Sequence, residues 1–467
     1  MGKMLKTFGI YFMGNVFSRL ISFAMLALLT RYIEPEGMGY FETANGMINV
    51  LMALISIQIW AGILRYLIDF HDNRRRKRQI IATGYSVEIV MLFLFTIGFW
   101  VVNLFANIRD AGFIYFCAIS YVFFQNVAFT ARGLGQNKLY VISGVIGSIA
   151  SALCNLFCVL VLHWGSQALM LSMALSYFVP AVFMELFLKT LKKVRLRDIN
   201  FKLLKVMLVY CVPLAINQGV YWINTRANTV IITQNLGADQ TGIYSASFKL
   251  TSLILLVVTM FNLAWQEYTF AISHDRDRST KYNIVLDDFI RFIGCGMLML
   301  LPVTNVLFDL MIGPKYAAGK VIIPLAYLGT VVDSLANFIG SIMCAENKMK
   351  SMLYSMIVGA VITVGFMELT IHTIGLQSAN IAMILCFLAV IVIRTLSVRK
   401  IVKLKYNYKF LLPYLVVYII ASYVFQNFGP LVNFIFAFAV AGYCLFVLRD
   451  IIKDFLVMAK KKIGKAE

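Results

Sequence analysis

Charge is scarce in this chain, and negative charge scarcer still. Asp, Glu, Lys and Arg make up 14% of its 467 residues, where a soluble globular domain carries about 25%. Only 22 residues are acidic, against 42 basic ones. No stretch between the apolar runs is long enough for a soluble domain; the longest connections lie at 189–205 and around 267–285. The sequence has no nucleotide-binding glycine loop and no metal-ligating cluster, and its paired carboxylates stop at Asp287–Asp288. These absences argue against an enzyme, such as a membrane glycosyltransferase or polymerase, and no cofactor is expected. Lys3 and Lys6 precede an apolar run as in a signal peptide, but Arg19 interrupts the run and no small-residue cleavage site follows. The start therefore reads as a first transmembrane helix. All eight cysteines fall inside apolar segments. Cys154 and Cys158 share a helix face with no histidine near them, so packing as small hydrophobes is expected rather than a metal or disulfide.

What is abundant is hydrophobicity, at 61%. Apolar runs of about 18–25 residues recur along the whole length, each able to cross a hydrocarbon core of about 30 Å. Open strands cannot span lipid. The expected fold is an all-α polytopic membrane protein of about fourteen transmembrane helices, among them 40–66, 206–233, 241–266 and 377–396. Basic residues orient it. "NRRRKR" (73–78), "KTLKKVRLR" (189–197), "VRKIVKLK" (398–405) and "AKKKIGK" (459–465) fall in one set of loops, and only Arg31, Arg109, Lys315 and Lys320 in the other. Positive charge stays inside, which places both termini in the cytoplasm. The net charge of +20 is thus a topological signal and not the mark of a nucleic-acid partner. The basic loops suit anionic headgroups, at about 1 kcal/mol per cation.

The chain also carries a weak internal repeat. "TRYIEPEGMGYF" (30–41) and "TQNLGADQTGIY" (233–244) stand 203 residues apart, matching Thr30 to Thr233 and Gly39 to Gly242. "QNK" (136–138) and "ENK" (346–348) form a second pair. Six helices separate each pair, so two parallel six-helix bundles are expected around a central cavity, with two extra C-terminal helices. The division reads 1–188 and 206–396 for the lobes, 189–205 and 397–410 for basic linkers, 411–448 for the added helices and 449–467 for a basic tail. Two lobes already supply a cavity, so a monomer is expected.

Polar stripes run along the repeat-related helices. Tyr11, Asn15, Arg19 and Ser22 share a face of the first. Glu42, Asn45, Asn49 and Ser56 share one in the second. In the seventh, Gln218, Trp222, Arg226, Thr229 and Thr233 align, opposite Asn217, Tyr221, Asn224 and Asn228. Ser245, Lys249 and Ser252 align in the eighth. Such stripes are costly in lipid and should face water or one another. Arg19 is too central to reach a headgroup easily, whereas Arg65 and Lys249 suit either headgroups or a cavity. Asp333 and Glu88 suit ion coupling or an ion pair with an arginine. Glu185, Glu267, Arg291 and Arg394 fall near cytoplasmic helix ends and need no special role.

"LTRYIEPEGMGYFETA" (29–44), "GILRY" (62–66), "ARGLGQNKLY" (131–140), "VPLAINQGVYWINTRANTVIITQNLGADQTGIYSASFKL" (212–250) and "GPKYAAG" (313–319) resemble the Wzx-type polysaccharide flippases of the multidrug/oligosaccharidyl-lipid/polysaccharide (MOP) exporter superfamily. The likeness covers most of the chain, in order. It implies two six-helix bundles in a V and alternating access. It also implies that an undecaprenyl-pyrophosphate-linked oligosaccharide moves from inner to outer leaflet of the bacterial cytoplasmic membrane, for O-antigen or exopolysaccharide, beside the polysaccharide polymerase machinery. Arg19, Arg226 and Lys249 occupy helices comparable to those whose arginines meet the pyrophosphate in the similar lipid II flippases. One departure is Thr225–Arg226, where the family usually has Asp-Arg; the missing carboxylate weakens any ion-coupling role carried over to that site. The alternative is a cation-coupled small-molecule exporter of the same superfamily.

Overall fold

The computed structural model of the chain describes residues 21, 23–70, 73–273, 275–346 and 348–463. They are helical nearly throughout, with no strand among the described residues. The helices are α1 (Phe23–Tyr32), α2 (Pro35–Ile55), α3 (Ile59–Asp69), α4 (Arg74–Ala106), α5 (Ala111–Gly133), α6 (Asn137–Leu160), α7 (Ser166–Leu188), α8 (Phe201–Leu236), α9 (Ala238–Phe248), α10 (Ser252–Ile272), α11 (Arg278–Met311), α12 (Ile323–Ala345), α13 (Met349–Ile374), α14 (Gln377–Val398), α15 (Tyr408–Asn427) and α16 (Pro430–Ile463). Ten helices among the described residues are long and apolar enough to cross a membrane, and the chain is a multi-pass membrane protein. In α4 no residue of the most apolar 18-residue stretch is buried within the protein, and Phe93, Leu94, Leu104 and Phe105 point outward, as suits a helix solvated by lipid.

Two expected helices are interrupted. The span at 40–66 breaks after Ile55, with Ile57 (φ 49°) and Gln58 (φ 53°) left-handed before α3 resumes at Ile59. No proline or glycine stands at the break. Left-handed backbone at a β-branched residue costs of order 1–3 kcal/mol and persists only where packing imposes it. Ile59 and Trp60 are buried just beyond, at 0% and 2% exposure, and anchor the displaced continuation. The span at 241–266 is interrupted by a 3₁₀ turn, Lys249–Thr251, between α9 and α10.

By its contacts the chain divides into two compact units, 1–242 and 243–467. In the first, α8 packs against α2, α3 and α4. Its start is fixed by Asn200, whose side chain accepts from the Leu203 N–H (3.1 Å) and whose own N–H donates to Thr83 Oγ1 (3.1 Å). Leu203, Met207 and Cys211 then close a core with Ile59, Ile63, Leu67, Ile80, Ile81 and Tyr85. Small residues permit the close approach: a Cβ at Gly62 would lie 2.6 Å from Cys211 Sγ, and one at Gly84 would lie 2.5 Å from Ile63.

The repeat has a physical counterpart in this unit. A Cβ at Gly39 would lie 1.6 Å from the Ala238 carbonyl oxygen, and a Cβ at Gly242 would lie 1.8 Å from that of Pro35. Pro35 and Ala238 are themselves 203 residues apart. The two contacts are therefore the same contact made twice, each repeat receiving the other's glycine at the crossing of α2 and α9.

The second unit is built on an aromatic core. Trp265 stacks on Phe338 (ring centroids 4.2 Å apart) and donates to its carbonyl (3.0 Å), while Phe261 stacks on Phe289 (4.5 Å). The added helices join it through polar side chains that satisfy backbone carbonyls: Tyr414 donates to Gly294 O (3.1 Å), Tyr418 to Pro324 O (2.6 Å), and Asn305 to Phe425 O (2.6 Å).

Candidate functional site

Within the first unit, α2 and α8 meet through hydroxyls, at Thr43, a residue outside the expected α2 stripe, and at Thr233. Thr43 Oγ1 and Thr233 Oγ1 are 2.7 Å apart, and Thr233 is 2.8 Å from Thr241 Oγ1. Thr233, one of the repeat-matched residues, thereby joins three helices through hydroxyls that need no counter-charge. Glu42 and Asn49 on α2, and Asn228 and Thr229 on α8, are buried. Asn49 Nδ2 donates to both the carbonyl and the side-chain oxygen of Asn45, each at 2.7 Å. Much of that pair's hydrogen-bonding capacity is spent internally, which weakens its claim to cargo. Gln218 is half-buried on α8.

The expected cations are placed less uniformly. Asn15 and Arg19 lie outside the described residues. Trp222, Asn224 and Arg226 lie in α8, and their side chains are outside what is described. Lys249 is half-buried and opens the 3₁₀ turn of the second unit. Arg65 is a surface residue: its side chain is 54% exposed, pairs with Asp69 at 3.8 Å and lies over the Tyr210 ring at 4.7 Å. Solvent screens an exposed pair of this kind, so it adds little to stability.

The two acidic candidates differ in surroundings. Asp333 on α12 accepts from Asn337 Nδ2 (2.8 Å) and feels the charge of Arg394. Arg394 corrects an expectation. One turn from the end of α14, it does not reach a headgroup but is buried to 2% exposure. Its guanidinium donates to the Ala336 carbonyl and, at 3.2 Å, to Ser355 Oγ. Gly340 makes room for it, since a Cβ there would lie 2.8 Å from Nη1. This bridge between α12, α13 and α14 went unseen because position relative to a helix end does not reveal which way a side chain turns. Glycine on a facing helix was the available hint.

Glu88 on α4 is 3% exposed. Ser56, at the α2–α3 break, and Asn126, on α5, face its carboxyl. They approach without closing a hydrogen bond, so both carboxyl oxygens, Ser56 Oγ and Asn126 Oδ1 remain unpartnered. No cation pairs with Glu88 among the described residues. Cys154 and Cys158 lie with sulfurs 3.8 Å apart as free thiols, and no group of three or more His, Cys, Asp or Glu able to hold a metal occurs among the described residues.

Residues 4–265 match the model of a family described as polysaccharide biosynthesis protein. The chain is 21% identical over 277 residues to Lsg locus putative protein 1 of Haemophilus influenzae, covering 57% of this chain and 66% of that one, just under two thirds. It is 20% identical over 360 residues to the capsular polysaccharide biosynthesis protein CapF of Staphylococcus aureus, covering 74% and 86%. Among solved structures it is similar to the lipid II flippase MurJ in an inward closed conformation (TM-score 0.70, 12% identity, 95% of this chain and 99% of that one). It is likewise similar to an inward-facing multidrug resistance MATE transporter of the MOP superfamily (TM-score 0.69, 16% identity, 82% and 94%). At these identities the structural likeness is one of fold.

Proposed function

From a chain that belongs to the polysaccharide biosynthesis protein family and is folded like the MOP-superfamily transporters, we propose a flippase. It moves an undecaprenyl-pyrophosphate-linked oligosaccharide from the inner to the outer leaflet of the bacterial cytoplasmic membrane, with both termini in the cytoplasm. The observation that supports this reading is the cluster of hydroxyls that joins α2, α8 and α9, with buried polar side chains on α2 and α8, in a multi-pass helical protein. A sugar headgroup cannot cross hydrocarbon, and a polar route removes that barrier while the prenyl tail stays in lipid. Arg19, Arg226 and Lys249 would offset the pyrophosphate charge by charge-assisted hydrogen bonds. Asn15, Gln218, Trp222 and Asn224 would meet sugar hydroxyls and ring faces. Asn45 and Asn49 shape the wall.

With the cell interior negative, outward movement of an anion gains about 2.3 kcal/mol per charge per 100 mV. The test is reconstitution of the purified chain with a fluorescently tagged undecaprenyl-pyrophosphate sugar. Protein-dependent protection or exposure of the tag across the bilayer, accelerated by an outside-positive potential, is expected. No flipping of this probe, with transport of a small cationic drug instead, would favour the cation-coupled exporter.

A further inference from the structure

The two added helices leave a cavity that belongs wholly to the second unit. α15 and α16 each pack against α11 and scarcely against each other. Tyr414 of α15 donates to the Gly294 carbonyl (3.1 Å), and Cys444 of α16 donates to that of Cys295 (3.5 Å). One turn nearer the basic end, where α15 begins and the apolar part of α16 ends, a cavity of about 370 Å³ opens among the three helices. Sequence position alone gave its α11 residue, Arg291, no special role.

Its walls hold donors that the protein does not use. Arg291 gives one Nη to Asp287 (2.8 Å), while its Nε is buried with no hydrogen-bond partner. Lys409, in the first turn of α15, is exposed, and no carboxylate pairs with it among the described residues. Asn407 stands just before that turn, and its side chain does not cap it. Arg449 of α16 lies 3.6 Å from Asp450, with its guanidinium over the Phe446 ring at 5.0 Å. Three cations thus line the cavity against two carboxylates, Asp287 and Asp450, and one positive charge stays unmatched. A phosphodiester brings one negative charge and oxygens that only accept, which Arg and Lys meet by charge-assisted hydrogen bonds. The rest of the wall is apolar, with Phe410, Pro413, Phe446 and Val447. Phe446 is 66% exposed on a helix long and apolar enough to cross a membrane. A free anion gains nothing from that wall, whereas acyl chains cover it.

We propose that this cavity binds one anionic glycerophospholipid as a resident lipid. Its phosphodiester sits among Arg291, Asn407 and Lys409, with Arg449 closing the site from α16. The cavity admits a headgroup but not a whole lipid, so the chains lie outside it, along Pro413 and Phe446. The position suits such a ligand, since the basic run 398–405 leads into α15 and basic pockets between transmembrane helices at such an end hold anionic headgroups. The lipid ties α11, α15 and α16 together where α15 and α16 make few contacts of their own. The proposal is independent of the cargo's identity.

Native mass spectrometry of the purified full chain, from neutral-detergent micelles doped with dioleoyl phosphatidylglycerol, counts retained lipid without any transport assay. One phosphatidylglycerol is expected to be held more tightly than the rest. Lys409→Glu should weaken its retention on the order of tenfold, the scale of reversing one cation at a headgroup. Lys409 pairs with no carboxylate, so this loss does not come from a broken ion pair in the protein. Arg291→Gln should weaken retention as well, and melting measured without lipid separates that effect from damage to the fold. Lys400→Glu makes the same charge change at the same end but outside the cavity, and should leave the tightly held lipid in place. Parent-like retention in both Lys409→Glu and Arg291→Gln would overturn the site. Equal losses in Lys400→Glu and Lys409→Glu would replace it by diffuse attraction to the basic end. Equal retention of dioleoyl phosphatidylcholine would overturn the anionic class, and displacement of the lipid by inorganic phosphate would make the ligand a free anion instead.

Discussion

Substitution of Gly39 by Ala is the sharpest structural test of the repeat. The new methyl would stand 1.6 Å from the Ala238 carbonyl oxygen, where carbon and carbonyl oxygen ordinarily approach to about 3.3–3.6 Å. α2 and α9 must therefore part by about 2 Å at their crossing. The obstacle is backbone on both sides, so no rotamer change relieves it. Overpacking typically costs 1–3 kcal/mol, and this site should lie at or above the upper end, about 3 kcal/mol. Gly242→Ala should cost about the same, because its methyl would stand 1.8 Å from the Pro35 oxygen. One separation relieves both clashes, so the double variant should cost roughly what either single one does. That departs from additivity by up to about 3 kcal/mol. Unfolding can be followed in mixed micelles with a thiol-reactive dye, since Cys117, Cys211 and Cys295 are free and buried. Singles within about 0.5 kcal/mol of the parent, or a double cost equal to the sum, would refute the reciprocal crossing.

Two further outcomes are expected. Arg394→Met removes the donors to Ala336 and Ser355 and takes away a positive charge that Asp333 feels. The cost should be about 1–3 kcal/mol, and Asp333→Asn should recover part of it in a double-mutant cycle. Lys281 is bonded to Asp275 (2.7 Å) and Asp277 (3.1 Å), and these carboxylates push its ammonium up to about 12. Its folded value exceeds the unfolded one, so its contribution is present below the ordinary lysine range and lost as pH rises through about 12. Lys281→Met should therefore change the pH dependence of melting only in strong alkali, and scarcely near neutrality.

Much of this fold could be read from the sequence. Hydropathy marks the chain as a multi-pass helical bundle, though it does not show the breaks within 40–66 and 241–266, and Gly39 and Gly242 match in the sequence because a position that tolerates only glycine leaves its mark in both copies. The α2–α3 break was not legible. Ile57 and Gln58 are neither proline nor glycine, and the bend is imposed by what Ile59 and Trp60 pack against. On α2 the polar face was legible, but not the partners of its residues. Periodicity put Glu42, Asn45, Asn49 and Ser56 on one face, yet it could not tell that Asn45 and Asn49 bond to each other. Nor could it tell that Ser56 turns to Glu88. An acidic residue in an apolar helix announces itself, but whether an arginine meets it depends on helices far away in sequence: Asp333 has Arg394 nearby, whereas no cation pairs with Glu88 among the described residues.

The proposed activity rests on cations meeting a pyrophosphate along a polar route through the membrane. The most direct measurement is charge reversal, Arg19→Glu and Arg226→Glu singly and together, in cells whose lipid-linked oligosaccharide is assigned to a leaflet by an impermeant sugar-oxidising label. The account expects normal protein levels with the oligosaccharide retained in the inner leaflet, most completely in the double variant. Normal labelling from outside in both single variants and in the double would contradict it.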